Sequence, residues 1–219
     1  MLQVTAGPSF QNGRALRKIA AIDIGTNSTH LLVASVDPEL RTFSIELAEK
    51  STTRLGERDP ETGDLSEAAI KRGMEALRRF RDLALSHQVE QIVTAATSAV
   101  REAPNGRDFL QEIQDQLDLE VDLVSGPEEA RLIYLGVLSG MPFGDCPHLV
   151  LDIGGGSTEL ILADGRDARA LTSTRVGAVR LQRFRQRRPD APASSNLSSS
   201  IYPRVARASG QQGAAQNYP

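Results

Sequence analysis

Apolar residues along this chain follow two different periods, and the periods predict alternating strands and helices. Short apolar runs bounded by glycine, proline or charged turns predict strands over residues 19–22, 31–36, 42–48, 89–95, 121–124, 149–151, 160–163 and 168–176. Apolar positions repeat every three to four residues over 66–86, 105–117, 125–138 and 177–185, which predicts helices. The pattern therefore predicts an α/β fold.

One pattern, D-I-G-x-x-S-T, occurs at residues 23–29 and again at 152–158. Each copy lies between two apolar runs, so each reads as strand, tight turn, strand. Glycine suits such a turn because it accepts positive φ and has no Cβ, and successive N–H groups there can bind an anion. Two copies predict a duplicated architecture with facing phosphate loops, the second offering Gly154, Gly155, Gly156, Ser157 and Thr158.

Neither turn has the spacing of a P-loop, and neither opens a helix as a dinucleotide-binding fingerprint does. Ordinary hairpins without a ligand are the alternative reading. Asp152 ends its strand at the rim of the glycine turn. A carboxylate beside a phosphate is physically reasonable mainly when a hard cation such as Mg²⁺ lies between them.

Two further residues are candidates for chemistry. Arg101 follows a predicted strand end and could bind phosphate through its fork of donors, or be a surface arginine at a helix start. Ser125 and Glu128 have the spacing of a helix capping box. The capping box accounts for Glu128 but not for Glu129. The helix behind it is apolar nearly all round, which predicts burial and a rigidly held general base; an acid placed there for the helix dipole is the alternative.

Charge and composition narrow the function classes. The 219-residue chain has a net charge of −3, but residues 175–219 hold eight arginines and one aspartate, so the preceding body is acidic and disfavours nucleic-acid binding. Cys146 is the one cysteine, which excludes an intrachain disulfide and favours a reducing compartment. No apolar run suits a membrane span, so we expect a cytoplasmic protein. No histidine is assigned a role.

Four segments together resemble the bacterial exopolyphosphatase and guanosine pentaphosphate phosphohydrolase family, within the actin-like ATPase superfamily. They are AAIDIGTNSTHLLVASV, VTAATSAVREAPNG, SGPEEARLIYLGV and LVLDIGGGSTELILADG, and they lie in the family's order and spacing over residues 17 to 185. The resemblance implies an actin-like (ribonuclease H-like) domain with a mixed sheet flanked by helices, followed by an incomplete second domain of the same type.

The resemblance also implies a reaction and its residues. The reaction is hydrolysis of terminal phosphate from inorganic polyphosphate or guanosine pentaphosphate with Mg²⁺. Such a reaction needs positioning and charge neutralisation rather than a covalent bond between enzyme and phosphate. It implies Glu129 as the water-activating base and Arg101 as a phosphate contact. In the first loop it implies Asn27 and Ser28 as phosphate contacts, and the metal ligands that it implies are Asp23, Asp152 and Glu159. A homodimer is a further expectation.

The division of the chain and two alternatives complete the expectations. We expect a flexible arm over 1–16, a first actin-like domain over 17–132, a partial second domain over 133–188 and a disordered tail over 189–219. Relatives usually continue after RVGAVRL through the rest of a second domain, so the serine-rich tail looks like a truncated or frameshifted end. The alternatives are an inactive remnant that binds polyphosphate or nucleotide, and an ATPase or kinase of the same superfamily.

Overall fold

Strands form two separate sheets, one from each half of the chain. The computed structural model describes residues 9–11, 14–141, 143–144, 146–164 and 167–187; the predicted tail over 189–219 lies outside them. The strands are β1 (Ser9–Gln11), β2 (Arg14–Ile24), β3 (Thr29–Asp37), β4 (Thr42–Ser51), β5 (Gln91–Ala96), β6 (Val121–Leu123), β7 (Pro147–Ile153), β8 (Thr158–Asp164) and β9 (Asp167–Thr174). The helices are α1 (Glu67–Ser86), α2 (Ser98–Arg101), α3 (Gly106–Leu117), α4 (Gly126–Gly140) and α5 (Ala178–Arg187).

The first sheet is mixed and has the order β4-β3-β2-β5-β6. The strands β2, β3 and β4 form an antiparallel meander, while β5 and β6 run parallel to β2 after helical crossovers. Apolar residues of this sheet, such as Ile22 and Val33, share one buried core with Phe80 of α1 and Phe109 of α3. Because Ser66 caps α1 by accepting a hydrogen bond from the Ala69 N–H, the helix begins where the sequence predicts.

The second sheet has three antiparallel strands in the order β7-β8-β9, and α4 packs on one of its faces. Ala130 and Tyr134 of α4 form a small core with Ile161 and Ala163 of β8. The mixed sheet with its helices, followed by a smaller sheet that opens with the same hairpin, confirms the α/β fold that the sequence predicts. The predicted domain boundary at 132/133 runs through α4, which packs as one unit.

Two local predictions are wrong. Helix α4 is not buried all round, because the second sheet covers one side only and Leu132 and Leu135 remain exposed. The segment expected to be a loose arm contains β1 and the start of β2, paired as a hairpin through Ser9–Leu16 and Gln11–Arg14. Within the described residues, no helix is long and apolar enough to span a membrane.

Candidate functional site

The two D-I-G-x-x-S-T segments form the same turn. In the first, the N–H of Gly25 donates to the carbonyl oxygen of Ser28, with N···O 3.1 Å. In the second, the N–H of Gly154 donates to the carbonyl oxygen of Ser157, with N···O 3.0 Å. Each turn joins two antiparallel strands, β2 to β3 and β7 to β8. The sequence repeat is therefore a structural repeat.

The two loops touch each other at their tips. A Cβ added to Gly155 would lie 3.1 Å from the Thr26 Cβ, and one added to Gly156 would lie 2.7 Å from the Thr26 Oγ1. Ser98 Oγ, 3.0 Å from Thr26 Oγ1, completes this contact. The positive φ expected of the loop glycines is not found, since Gly63 is the glycine with positive φ in the described part of the chain. Close backbone approach is what requires glycine here.

Glu129 lies in the first turn of α4, beside both sheets. The helix begins at its predicted cap, where Ser125 Oγ accepts from the Glu128 N–H. The Glu128 carboxylate pairs with Arg131 rather than reaching back to the cap, so only half of the capping box forms. Glu129 points instead to Arg101, whose Nη1 lies 3.2 Å from the Glu129 Oε2. Its side chain is 14 % exposed, which leaves it both desolvated and accessible.

This environment raises the pKa of the Glu129 carboxyl to about 7. Burial is the main cause, and the negative charges of Glu159 and Asp23 add to it, while the Arg101 guanidinium opposes the rise. A carboxyl with a pKa near neutrality is half ionised at pH 7, which suits a general base. Strongly shifted carboxyls in clefts are typical of functional sites.

Three other carboxylates lie around Glu129. Asp23 is the last but one residue of β2, and Asp152 is the last but one residue of β7. Burial raises the pKa of Asp23, the nearby His30 lowers it and the charge of Asp152 raises it. Glu159, opposite Asp152 in the β7–β8 ladder, is 1 % exposed and accepts a hydrogen bond from Ser173 Oγ at 2.8 Å. The two loops thus bring Asp23 and Asp152 to one site.

The carboxylates do not by themselves form a metal cage. Among the described residues, no group of three or more His, Cys, Asp and Glu side chains could hold a metal ion. Mg²⁺, however, is commonly bound through one or two carboxylates, with substrate phosphates and waters as the other ligands. Mutual repulsion between Asp23 and Asp152 favours a cation at this place, so the donor set fits Mg²⁺ in that mode.

The remaining predicted phosphate contacts differ in how many of their hydrogen-bond donors are already used within the protein. The guanidinium of Arg101 donates to the Val124 carbonyl oxygen at 2.6 Å as well as to Glu129, so part of its fork is used within the protein. The Asn27 amide is exposed and donates to the Ser28 Oγ at 3.3 Å, while Ser28 and Ser157 are buried beneath the loops. The Thr158 hydroxyl donates to the Val176 carbonyl oxygen, so this proton is not available to a phosphate.

Sequence reasoning missed several residues that shape this site. Thr26 occupies a variable position of the repeat, and only the contact between the loops reveals its importance. Ser173 supports Glu159 from a strand that carries no motif. Ser98 had a signal, because it belongs to the run of small hydroxyl residues that precedes Arg101.

Comparison with known proteins gives consistent matches. The model of the Ppx/GppA phosphatase family matches residues 32–202. A guanosine-5'-triphosphate,3'-diphosphate pyrophosphatase of Photobacterium profundum is 40% identical over 163 residues, which cover 73% of this chain and 32% of that protein. One of Aeromonas hydrophila is 39% identical over 161 residues, with the same coverage of each chain.

Solved structures agree with these sequence matches. An exopolyphosphatase of Cytophaga hutchinsonii superposes with a TM-score of 0.72 at 32% identity, over 77% of this chain and 53% of that one. The Aquifex aeolicus member of the Ppx/GppA family gives a TM-score of 0.67 at 32% identity, over 77% and 54%. The chain thus spans about a third of the curated relatives that it matches and about half of the solved ones.

Proposed function

The chain belongs to the Ppx/GppA phosphatase family, and on this basis we propose that it hydrolyses terminal phosphate from inorganic polyphosphate or guanosine pentaphosphate. One observation carries the proposal: Glu129 is a desolvated carboxyl with a pKa of about 7, fixed by Arg101 beside the paired loops. Phosphoryl transfer to water needs a positioned nucleophile and charge neutralisation rather than a covalent intermediate. The site offers groups for both.

In this proposal Glu129 takes a proton from the attacking water. Its partner Arg101 holds the carboxylate in place through the contact at 3.2 Å and keeps part of its guanidinium for phosphate oxygens. The N–H groups of Gly155 and Gly156, with the hydroxyls of Ser157 and Thr158, are the proposed phosphate contacts of the second loop. Gly154 would contribute by shaping the turn, because its own N–H donates to the Ser157 carbonyl oxygen. Given the Thr158–Val176 hydrogen bond, we expect that residue to contribute least.

The proposed metal is Mg²⁺, held by one or two of the carboxylates of Asp23, Asp152 and Glu159 together with substrate phosphate oxygens and waters. When bound, it would neutralise phosphate charge and so favour departure of the leaving group. Glu159 is already held by Ser173, which fixes its orientation from behind. Asn27 and Ser28 would contact phosphate from the first loop.

Phosphate release tests this proposal directly. Long-chain polyphosphate and guanosine pentaphosphate are each incubated with Mg²⁺ and the wild-type chain, Glu129→Gln or Glu128→Gln. We expect Glu129→Gln to lower release by about 10²- to 10⁴-fold, the usual contribution of a general base. The control Glu128→Gln removes a neighbouring exposed charge and should change release less than about twofold. Chelation with EDTA should abolish release by the wild type.

Other outcomes separate the alternatives. Equal release by the wild type and Glu129→Gln would remove Glu129 from the base role. Binding of polyphosphate with no release by any form would favour the inactive remnant. Phosphate transfer from ATP to an acceptor other than water would favour a kinase.

A further inference from the structure

A cavity of about 230 Å³ lies beside the paired loops. Thr26, Ser98 and Gly155, which form the contact between the loops, also form part of its wall. Neither Glu129 nor any of Asp23, Asp152 and Glu159 lines it. The cavity is therefore a separate space that shares the phosphate loops with the candidate active site.

The lining carries an excess of positive charge. Arg58, Arg180 and Arg183 line the cavity, and Glu102 is the acidic residue in its wall. The carboxylate of Glu102 is engaged, because Arg180 pairs with it and also donates to the Gly156 carbonyl oxygen at 3.2 Å. Three arginines against one carboxylate therefore leave the lining with a net positive charge, although Glu102 still attracts Arg58.

These two arginines are held in different ways. Arg58 donates to the carbonyl oxygens of Gly63 and Ala99, which fix its position without neutralising it. Arg183 of α5 is half-buried and makes no hydrogen bond or ion pair within the described residues. Burial and the positive charges of Arg183 and Arg180 lower the pKa of the Arg58 guanidinium, although Glu102 opposes this. A bound anion would relieve this repulsion.

The size of the cavity limits the ligand. Pockets for drug-sized molecules begin at about 300 Å³, so this space suits a small ion. Guanidinium groups match the tetrahedral oxygens of phosphate through several donors at once. Proximity to the phosphate loops places such an ion next to the proposed phosphoryl-transfer site.

We propose that this cavity binds a phosphate group through Arg58 and Arg183. Its place beside the reaction rests on the proposed function, whereas the binding itself does not. Two sources share this chemistry: orthophosphate released by the reaction, and an inner phosphate of a condensed chain.

Titration calorimetry in EDTA-containing buffer tests the proposal with orthophosphate and tripolyphosphate as separate ligands. The variant Arg183→Gln removes a guanidinium that makes no hydrogen bond or ion pair within the described residues, so the fold should persist. Far-UV circular dichroism checks that it does. We expect it to raise the Kd at least tenfold. Arg185→Gln removes the same charge from an exposed position of the same helix and should change the Kd less than about twofold. Arg183→Lys, which keeps the charge, should restore part of the affinity.

The ligands distinguish the two sources. If Arg183→Gln raises the Kd for orthophosphate, released phosphate is an occupant of the cavity. If it raises only the Kd for tripolyphosphate, the occupant is a phosphate of a condensed chain. The same Kd for the wild type and Arg183→Gln with both ligands would overturn the proposal, and so would equal weakening by the Arg183 and Arg185 variants. Absence of phosphate release by the wild-type chain would refute the proposed function alone and leave these binding results standing.

Discussion

Replacing Glu129 by glutamine should stabilise the protein at high pH. The burial and the neighbouring negative charges that make Glu129 a candidate base also make its ionised form costly. Glutamine has nearly the same shape and carries no charge. The variant should therefore lose activity and gain stability, which is the trade expected of a strained functional group.

The magnitude follows from the pKa. The Glu129 carboxyl moves from an ordinary value of 4.5 to about 7 on folding. At 1.36 kcal/mol for each tenfold change in proton affinity, ionising it in the folded protein costs about 3 kcal/mol more than in the unfolded chain. Because the folded state holds this proton more tightly, the wild-type free energy of unfolding should fall as the pH rises from 4.5 to 7 and then level off. Because glutamine does not ionise, the free energy of unfolding of Glu129→Gln should lack this decrease.

Urea denaturation in EDTA buffer at pH 4.5 and pH 8 measures the effect. At each pH, the unfolding free energy of the wild type is subtracted from that of Glu129→Gln. This difference should be about 3 kcal/mol larger, in favour of the variant, at pH 8 than at pH 4.5. Comparing two pH values cancels any constant cost of leaving Arg101 without its partner. The exposed neighbour variant Glu128→Gln should show no such gain. A difference that is the same at both pH values would refute the reasoning.

Three other changes have distinct expected outcomes. Gly156→Ala should force the two loops apart and lower the free energy of unfolding by about 1–3 kcal/mol in urea denaturation. The control Gly136→Ala, in open space on α4, should raise it by up to about 1 kcal/mol. Similar effects of both substitutions would contradict the contact between the loops. Arg101→Gln removes the positive charge that opposes the pKa rise of Glu129, so an NMR titration of the carboxyl in EDTA should move its midpoint to higher pH; an unchanged midpoint would show that the ion pair is not formed. Leu151→Thr, on an exposed face of β7, should change the free energy of unfolding by less than about 0.5 kcal/mol and lower light scattering in concentrated samples; a large loss of stability would mean that this face is covered.

Local patterns predicted much of the fold. The repeat D-I-G-x-x-S-T indicated two equivalent hairpins, and both form the same turn between Gly25 and Ser28 and between Gly154 and Ser157. Such features are predictable because the residues that determine them are close in the chain. The reason given for the glycines was partly wrong, since contact between the loops depends on residues from distant segments.

Long-range contacts account for the rest of what the sequence did not predict. The pairing of Glu102 with Arg180 joins residues 78 positions apart, and no local pattern indicates it. Helix α4 has apolar side chains on several faces, but how many of them are buried depends on what packs around it. The surroundings of Glu129 likewise combine three segments, which is why its pKa required the folded structure.

The attachment of α4 couples the chemistry of Glu129 to the shape of the molecule. Only Val124 and Ser125 separate β6 from α4, yet the helix packs on the second sheet while Arg101 stays beside the first. Hinge motion between the sheets would carry Glu129 away from Arg101 and hydrate its carboxyl, which would then become an ordinary weak acid. The raised pKa of Glu129 therefore depends on the two sheets keeping their contact at the loops.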